Sequence, residues 1–369
     1  MSSRRKRAFR LALLLGLVSG SLAVLAGAGE PAQAAAGGAD CGACHPGPAK
    51  DWQKSAMAQS LDCTVCHGKG HQGADDYRNA GLPTPNTCRP CHEQRVREFE
   101  EGKHSYAWLA LNEVPNYRRL PASVKGNGCD GCHQVGLVWP DGSRGKCNAC
   151  HGRHAFSKRE AAEPGACGYC HRGDHPQYKM WEGSRHGQLY LQTRDESRAP
   201  KCQTCHVSNG SHNLVTAWGF LGLRGEEPDQ EWAKLRQPIE RALKELGPAN
   251  APKVKRATLK EWQEARETMV QTCAGCHSRT FAEEKLNQAD QQLKESDRLF
   301  SLICATSYQL RDRGVLDEQA RGALVRESLA HRFSSYMGSF HGAYEYAWDD
   351  GFLALSDDLL KLRSGEYDL

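Results

Sequence analysis

Protein side chains alone would give this chain a thin interior. Only 39% of its 369 residues are hydrophobic and 8% aromatic, against 37 glycines, so another group must supply the apolar contact area that stabilises a chain of this length. Sustained period-2 alternation of apolar residues is also missing, which argues against a β-sheet. A basic surface is missing too. The formal charge of +4 comes from the first 34 residues, where Arg4, Arg5, Lys6, Arg7 and Arg10 outnumber Glu30, and without that segment the balance is zero. Nucleic acid is therefore not an expected partner, which leaves small molecules and redox proteins.

Cysteine, in contrast, is abundant. Sixteen of the 17 cysteines form C-x-x-C pairs, each followed directly by histidine. The sets are Cys41, Cys44 and His45; Cys63, Cys66 and His67; Cys88, Cys91 and His92; Cys129, Cys132 and His133; Cys147, Cys150 and His151; Cys167, Cys170 and His171; Cys202, Cys205 and His206; and Cys273, Cys276 and His277. A disulfide scaffold needs no histidine after every second cysteine, and zinc sites need C-x-x-C pairs to meet in twos without that fixed histidine. The pattern is that of covalent c-type haem attachment, in which two thiols add to the vinyl groups and the adjacent histidine binds iron. Eight haems are expected, and their porphyrins would form much of the core, so that cofactor binding and folding become one event. Their propionates would make the holoprotein acidic.

Residues 1–34 read as a secretory signal peptide, with a basic start, an uncharged apolar run from Leu11 to Gly29 and an A-x-A cleavage site at Ala32-Gln33-Ala34. Gly16, Ser19 and Gly20 within the run favour cleavage over retention as a membrane anchor. Export to the periplasm or exterior is what covalent haem attachment requires. Residues 35–280 are expected to form an octahaem-binding domain of short helices and loops, punctuated by Pro46-Gly47-Pro48, Leu82-Pro83-Thr84-Pro85 and Pro140-Asp141-Gly142. Helices are expected over Asp229 to Leu246, with Gly247-Pro248 as the stop, and over Thr258 to Thr272. In residues 281–369, Leu286, Ala289, Leu293, Leu299, Phe300 and Ile303 recur at helical spacing. A C-terminal helical bundle follows, over Phe281 to Leu310 and Asp317 to Tyr346. Cys304, the odd cysteine, lies on that stripe as a small buried hydrophobe. The fold class is mainly α: a multihaem cytochrome c of short helices and loops wrapped on eight haems, closed by a helical bundle.

Trp181-x-x-Ser184-x-His186, Phe99-x-x-Gly102-x-His104 and Trp52-x-x-Ser55-x-Met57 form an internal repeat, an aromatic residue five positions before a potential axial ligand. Of 16 histidines, the eight outside the motifs are His71, His104, His154, His175, His186, His212, His331 and His341. If all eight are distal ligands the chain is a closed electron wire; if one haem keeps an open position for substrate, one histidine is free for acid–base work. Met57 either ligates a haem, raising its potential, or packs against a porphyrin.

Gly102-Lys103-His104-Ser105-Tyr106-Ala107-Trp108, Asn127-Gly128-Cys129-Asp130-Gly131-Cys132-His133, Cys150-His151-Gly152-Arg153-His154-Ala155-Phe156-Ser157 and Cys167-Gly168-Tyr169-Cys170-His171-Arg172-Gly173-Asp174-His175-Pro176-Gln177 together resemble the octahaem hydroxylamine oxidoreductase family. The resemblance runs over nearly the whole mature chain. It implies a five-coordinate, catalytic fourth haem on Cys129, Cys132 and His133, with Asp174 and His175 shuttling protons above it. His71, His104, His154, His186, His212, His331 and His341 are then distal ligands of seven electron-transfer haems. It also implies a homotrimer, a small nitrogenous substrate such as hydroxylamine or nitrite, and a cytochrome or quinone-linked redox partner. In oxidative members a C-terminal tyrosine is cross-linked to a neighbouring subunit's catalytic haem; Tyr336, Tyr344 and Tyr346 are the candidates here. The rival expectation is a non-catalytic multihaem wire with eight six-coordinate haems.

Overall fold

Each C-x-x-C-H motif forms a helical turn, the third within the longer helix Pro85–Glu101 and the eighth at the end of Leu259–Ala274, and the architecture is built around those turns. The histidine N–H bonds back to the first cysteine carbonyl, at 2.8 Å from His45 to Cys41, 3.0 Å from His171 to Cys167 and 2.9 Å from His277 to Cys273. Residues at i, i+3 and i+4 share a helical face, so both thiols and the imidazole project to one side. The computed structural model describes residues 40–369 except 174, 215–221, 224, 247–255 and 366–369; residues 38–369 form one compact unit. The expected signal peptide, Gly247-Pro248 and Asp174 lie outside the described residues. Among the described residues there is no strand, only an antiparallel bridge between Val138 and Arg144 around the Pro140–Gly142 turn. None of their helices is long and apolar enough to cross a membrane. The fold is mainly α, short helices and loops followed by long helices, as the composition implied.

The C-terminal helices start where the capping residues lie. Thr258 and Glu261 form a capping box at the head of Leu259–Ala274, Ser278 caps Arg279–Asp312 and Asp317 caps Glu318–His341, each satisfying backbone N–H groups the helix itself leaves open. The boundary expected at residue 280 falls at the start of the 34-residue helix Arg279–Asp312. The helix expected to run on to Tyr346 instead ends at His341, where Gly342 takes φ +65°. A π-helix, Glu345–Leu353, follows, then Ala354–Ser364. Cβ atoms at Gly338 and Gly351 would come within 2.5 Å of Ala347 N and 2.6 Å of Ser335 Cα. The absence of side chains there lets the π segment lie directly on Glu318–His341.

Phe300, Ile303, Val325 and Leu355 pack with Ile239 and Leu243 in the bundle core. Cys304 is 0% exposed within it, and burial pushes its thiol up to about 12. It is a small hydrophobe rather than a thiolate. Beside the core, Asp297 accepts from Arg332 Nε at 2.5 Å and from the Trp232 indole at 2.7 Å. Arg236 lies 3.6 Å from the same carboxylate and 2.7 Å from Glu227. Arg332 and Asp297 are both fully buried.

Candidate haem sites and their wiring

Seven of the eight motif histidines face a spare histidine across one nearly constant gap. Ring centres are 6.0 Å apart for His45 and His71, 6.2 Å for His67 and His154, 6.1 Å for His151 and His212, and 6.0 Å for His171 and His104. They are 6.1 Å apart for His206 and His341, for His277 and His186, and for His133 and His175. Two imidazoles on opposite sides of one metal ion would show about 6.2 Å, made of roughly 2 Å per metal–nitrogen bond and about 1.1 Å from each nitrogen to its ring centre. The donor set therefore fits a haem iron between each pair. Among the described residues, which include all 17 cysteines, no disulfide forms, as attachment requires.

The imidazoles are oriented for this role. Nδ1–H donates to Gly81 O from His67 at 2.9 Å, to Ala107 O from His133 at 3.0 Å and to Met337 O from His341 at 2.7 Å. His71 is held the same way by Asp76 at 2.8 Å. Anchoring Nδ1 leaves Nε2 as the metal-binding nitrogen. Burial, and then the neighbouring His171 and His206, hold His104 down to about 4; burial and His206 do the same for His341. Both are neutral at ordinary pH, the form that binds iron.

Electrostatic influence and hydrogen bonding between thiols of different motifs give the order in which the sites adjoin. Burial and then Cys41 push Cys63 up, and burial and then Cys88 push Cys66 up. Hydrogen bonds join Cys88 to Cys147 and Cys167 to Cys202, and raise the first thiol of each pair. Cys150 rises to about 11 through burial and Cys167, and Cys205 to about 11 through burial and Cys273. Cys170 rises to about 12 through burial and a hydrogen bond with Cys132. The motifs thus run first, second, third, fifth, sixth, seventh, eighth. The fourth, among the described residues, joins as a spur on the sixth.

His175 sits over this spur, 6.1 Å from His133 and 6.3 Å from His171. Two expected ligand positions are not brought together. His92 has no histidine ring facing it among the described residues, and His331 lies on the C-terminal bundle, its Nδ1 on Asp350 O at 3.0 Å and its Nε2 3.9 Å from Asp358. Sequence reasoning passed over Tyr117, whose hydroxyl donates to Asp130 of the fourth motif at 2.6 Å; burial and then Asp130 push its pKa to about 12. An aspartate inside the motif itself was the available signal. Of the three C-terminal tyrosines, Tyr336 packs edge-on against Phe340 at 5.6 Å, whereas Tyr344 is 70% exposed.

The chain is 30% identical over 268 residues to a probable nitrite reductase-hydroxylamine oxidoreductase fusion protein of Kuenenia stuttgartiensis, covering 64% of this chain and 29% of that protein. It is 23% identical over 304 residues to a high-molecular-weight cytochrome c of Nitratidesulfovibrio vulgaris, covering 72% of this chain and 50% of that one. The chain thus spans half or less of the curated relatives it matches. In fold it is similar to a hypothetical multiheme protein, with a TM-score of 0.67, 21% identity and coverage of 88% of this chain and 94% of the other. It is also similar to a Kuenenia stuttgartiensis reducing HAO-like protein complex, with a TM-score of 0.66, 22% identity and coverage of 88% and 83%. Residues 58–320, well over half of the chain, match the family described as seven times multi-haem cytochrome CxxCH, and the chain belongs to that family of multihaem cytochromes.

Proposed function

We propose that this cytochrome is an exported octahaem oxidoreductase acting on small nitrogen compounds, oxidising hydroxylamine or running the reverse reduction of nitrite or hydroxylamine, at the haem of Cys129, Cys132 and His133. The observation that carries this reading is the spur. A wire has no use for a site that, among the described residues, is joined to the line only through the sixth motif, whereas a reaction centre that exchanges several electrons per turnover needs such a reservoir beside it. Bound there, the haem would supply redox-active iron. His133, its Nδ1 fixed by Ala107 O at 3.0 Å, would set the iron's electronics from the proximal side. His175, with Asp174 next to it in sequence, would hold and release protons on the distal side near neutral pH. The name of the Kuenenia stuttgartiensis relative, a probable nitrite reductase-hydroxylamine oxidoreductase fusion protein, points to the same chemistry. The redox partner would be a cytochrome or quinone-linked protein.

One observation favours the non-catalytic wire. The His133 to His175 separation of 6.1 Å equals that of the other pairs, as it would if His175 were a plain axial ligand. The variant His175→Ala separates the readings. An acid–base His175 predicts eight bound haems, unchanged low-spin signals and turnover of hydroxylamine or nitrite lowered roughly 100-fold or more. A new high-spin haem without specific loss of turnover would refute the catalytic assignment.

A further inference from the structure

We propose that Met57 is the distal axial ligand of the haem carried by Cys88, Cys91 and His92, which places one histidine–methionine haem in the middle of the wire. The inference rests on haem attachment at the third motif, and is independent of the nitrogen chemistry. Its first support is that the three repeats share one backbone device. The middle residue closes the turn that follows a helical segment, as its C-cap at Gly102 and Ser184 and three residues past Trp52 at Ser55: the N–H groups of Ser55, Gly102 and Ser184 bond to the carbonyls of Trp52, Phe99 and Trp181 at 2.8, 3.0 and 3.0 Å. The same residue then turns extended, with ψ of 138°, 166° and 162°. A new segment begins at once, Ala56–Gln59, Lys103–Tyr106 or Arg185–Thr193, and its second residue is the ligand position. There His104 faces His171 at 6.0 Å and His186 faces His277 at 6.1 Å. Met57 holds the equivalent place, its N–H on Ser55 Oγ at 3.2 Å.

The second support comes from the motif histidines. Seven are matched with imidazoles, and the one left is His92. The spare histidine that remains, His331, is tied to Asp350 O and lies beside Asp358. The unmatched motif and the repeat whose ligand is not histidine therefore belong together. A thioether can serve: it is a soft, neutral donor that favours ferrous iron and raises the potential of a c-type haem relative to a second imidazole. The third motif lies between the second, whose Cys66 feels the charge of Cys88, and the fifth, whose Cys147 is hydrogen-bonded to Cys88. An electron passing between the spur and the first two haems would cross this site, which would hold it more tightly than its neighbours do.

Full-length holoprotein tests this through Met57→His and Met57→Ala, with intact mass confirming the haem load of each. The ferric wild type should show the near-infrared methionine-to-iron charge-transfer band and one component that titrates above the rest. Met57→His should abolish the band, keep every haem low-spin and lower that component; Met57→Ala should add one high-spin haem. Wild type with eight haems and no such band, or a band unchanged in both variants, overturns the proposal. So does a new high-spin haem in His331→Ala with none in Met57→Ala. A wild-type mass short of the third haem would instead overturn the attachment on which the proposal rests, and the proposal with it.

Discussion

At the scale of the residue, position along the chain sorts the spare histidines. His71, His154, His175 and His212 each lie within six residues after a motif, yet each faces the histidine of a different motif. His104 and His186 instead come from the aromatic-led repeat. There the five-residue spacing does not lie on one helix, because Ser184 bonds to Trp181 O through its own Oγ at 2.7 Å and accepts Gly187 N at 3.2 Å. The turn is so tight that a Cβ at Gly187 would stand 1.8 Å from Trp181 O. Backbone cannot yield there without moving His186. Gly187→Ala should therefore destabilise the holoprotein by about 1 to 3 kcal/mol, the range for overpacking, and weaken ligation at His277. Thermal denaturation and the spin state of the eighth haem check it; an unchanged melting temperature and spectrum would mean that the turn is looser than described.

The elements differ in what stabilises them. The short motif turns are too brief to persist alone, and their order depends on what binds their thiols and imidazoles. The long C-terminal helices have their own apolar core, together with a buried polar cluster in which Asp297 meets Arg332 at 2.5 Å and Arg236 at 3.6 Å. Removing the carboxylate would leave two buried guanidinium groups without that compensating charge. Asp297→Ala should cost about 3 to 5 kcal/mol, the range for breaking a buried ion pair, as read from chemical denaturation of the bundle. A loss below about 1 kcal/mol would show that Glu227 and solvent replace the missing charge.

For the whole molecule, the expectation is a trimer held through residues of about Phe281 to Tyr346. Tyr344, Trp348 and Phe352 form a ladder along the π segment, with ring centres 6.4 and 5.2 Å apart, and Tyr344 is 70% exposed. Sedimentation of the holoprotein should give about three times the mass of a single haem-loaded chain. Tyr344→Ala with Trp348→Ala should shift it towards monomer. Monomeric wild type at micromolar concentration would count against the assembly.

The sequence by itself determined everything that depends on neighbours along the chain. Haem attachment was legible because two thiols and an imidazole within five residues share one helical turn. The helix starts at Thr258 and Asp317 were legible because these residues satisfy the N–H groups of the turn just after them, whereas the start expected at Phe281 lies at Arg279, behind the cap Ser278. Cys304 was legible from its place on the apolar stripe, and the break at Gly342 was open to the same local reading, a glycine at φ +65° closing the helix, although the expected helix ran past it. Tertiary structure alone decided which spare histidine faces which motif, that the fourth site is a spur on the sixth, and that His92 has no imidazole opposite it among the described residues. His341 meets His206 and His186 meets His277 across long stretches of intervening chain. The two sides of a metal site are joined by no local hydrogen bond and no helical period, so only the path of the folded backbone brings them to a common 6 Å.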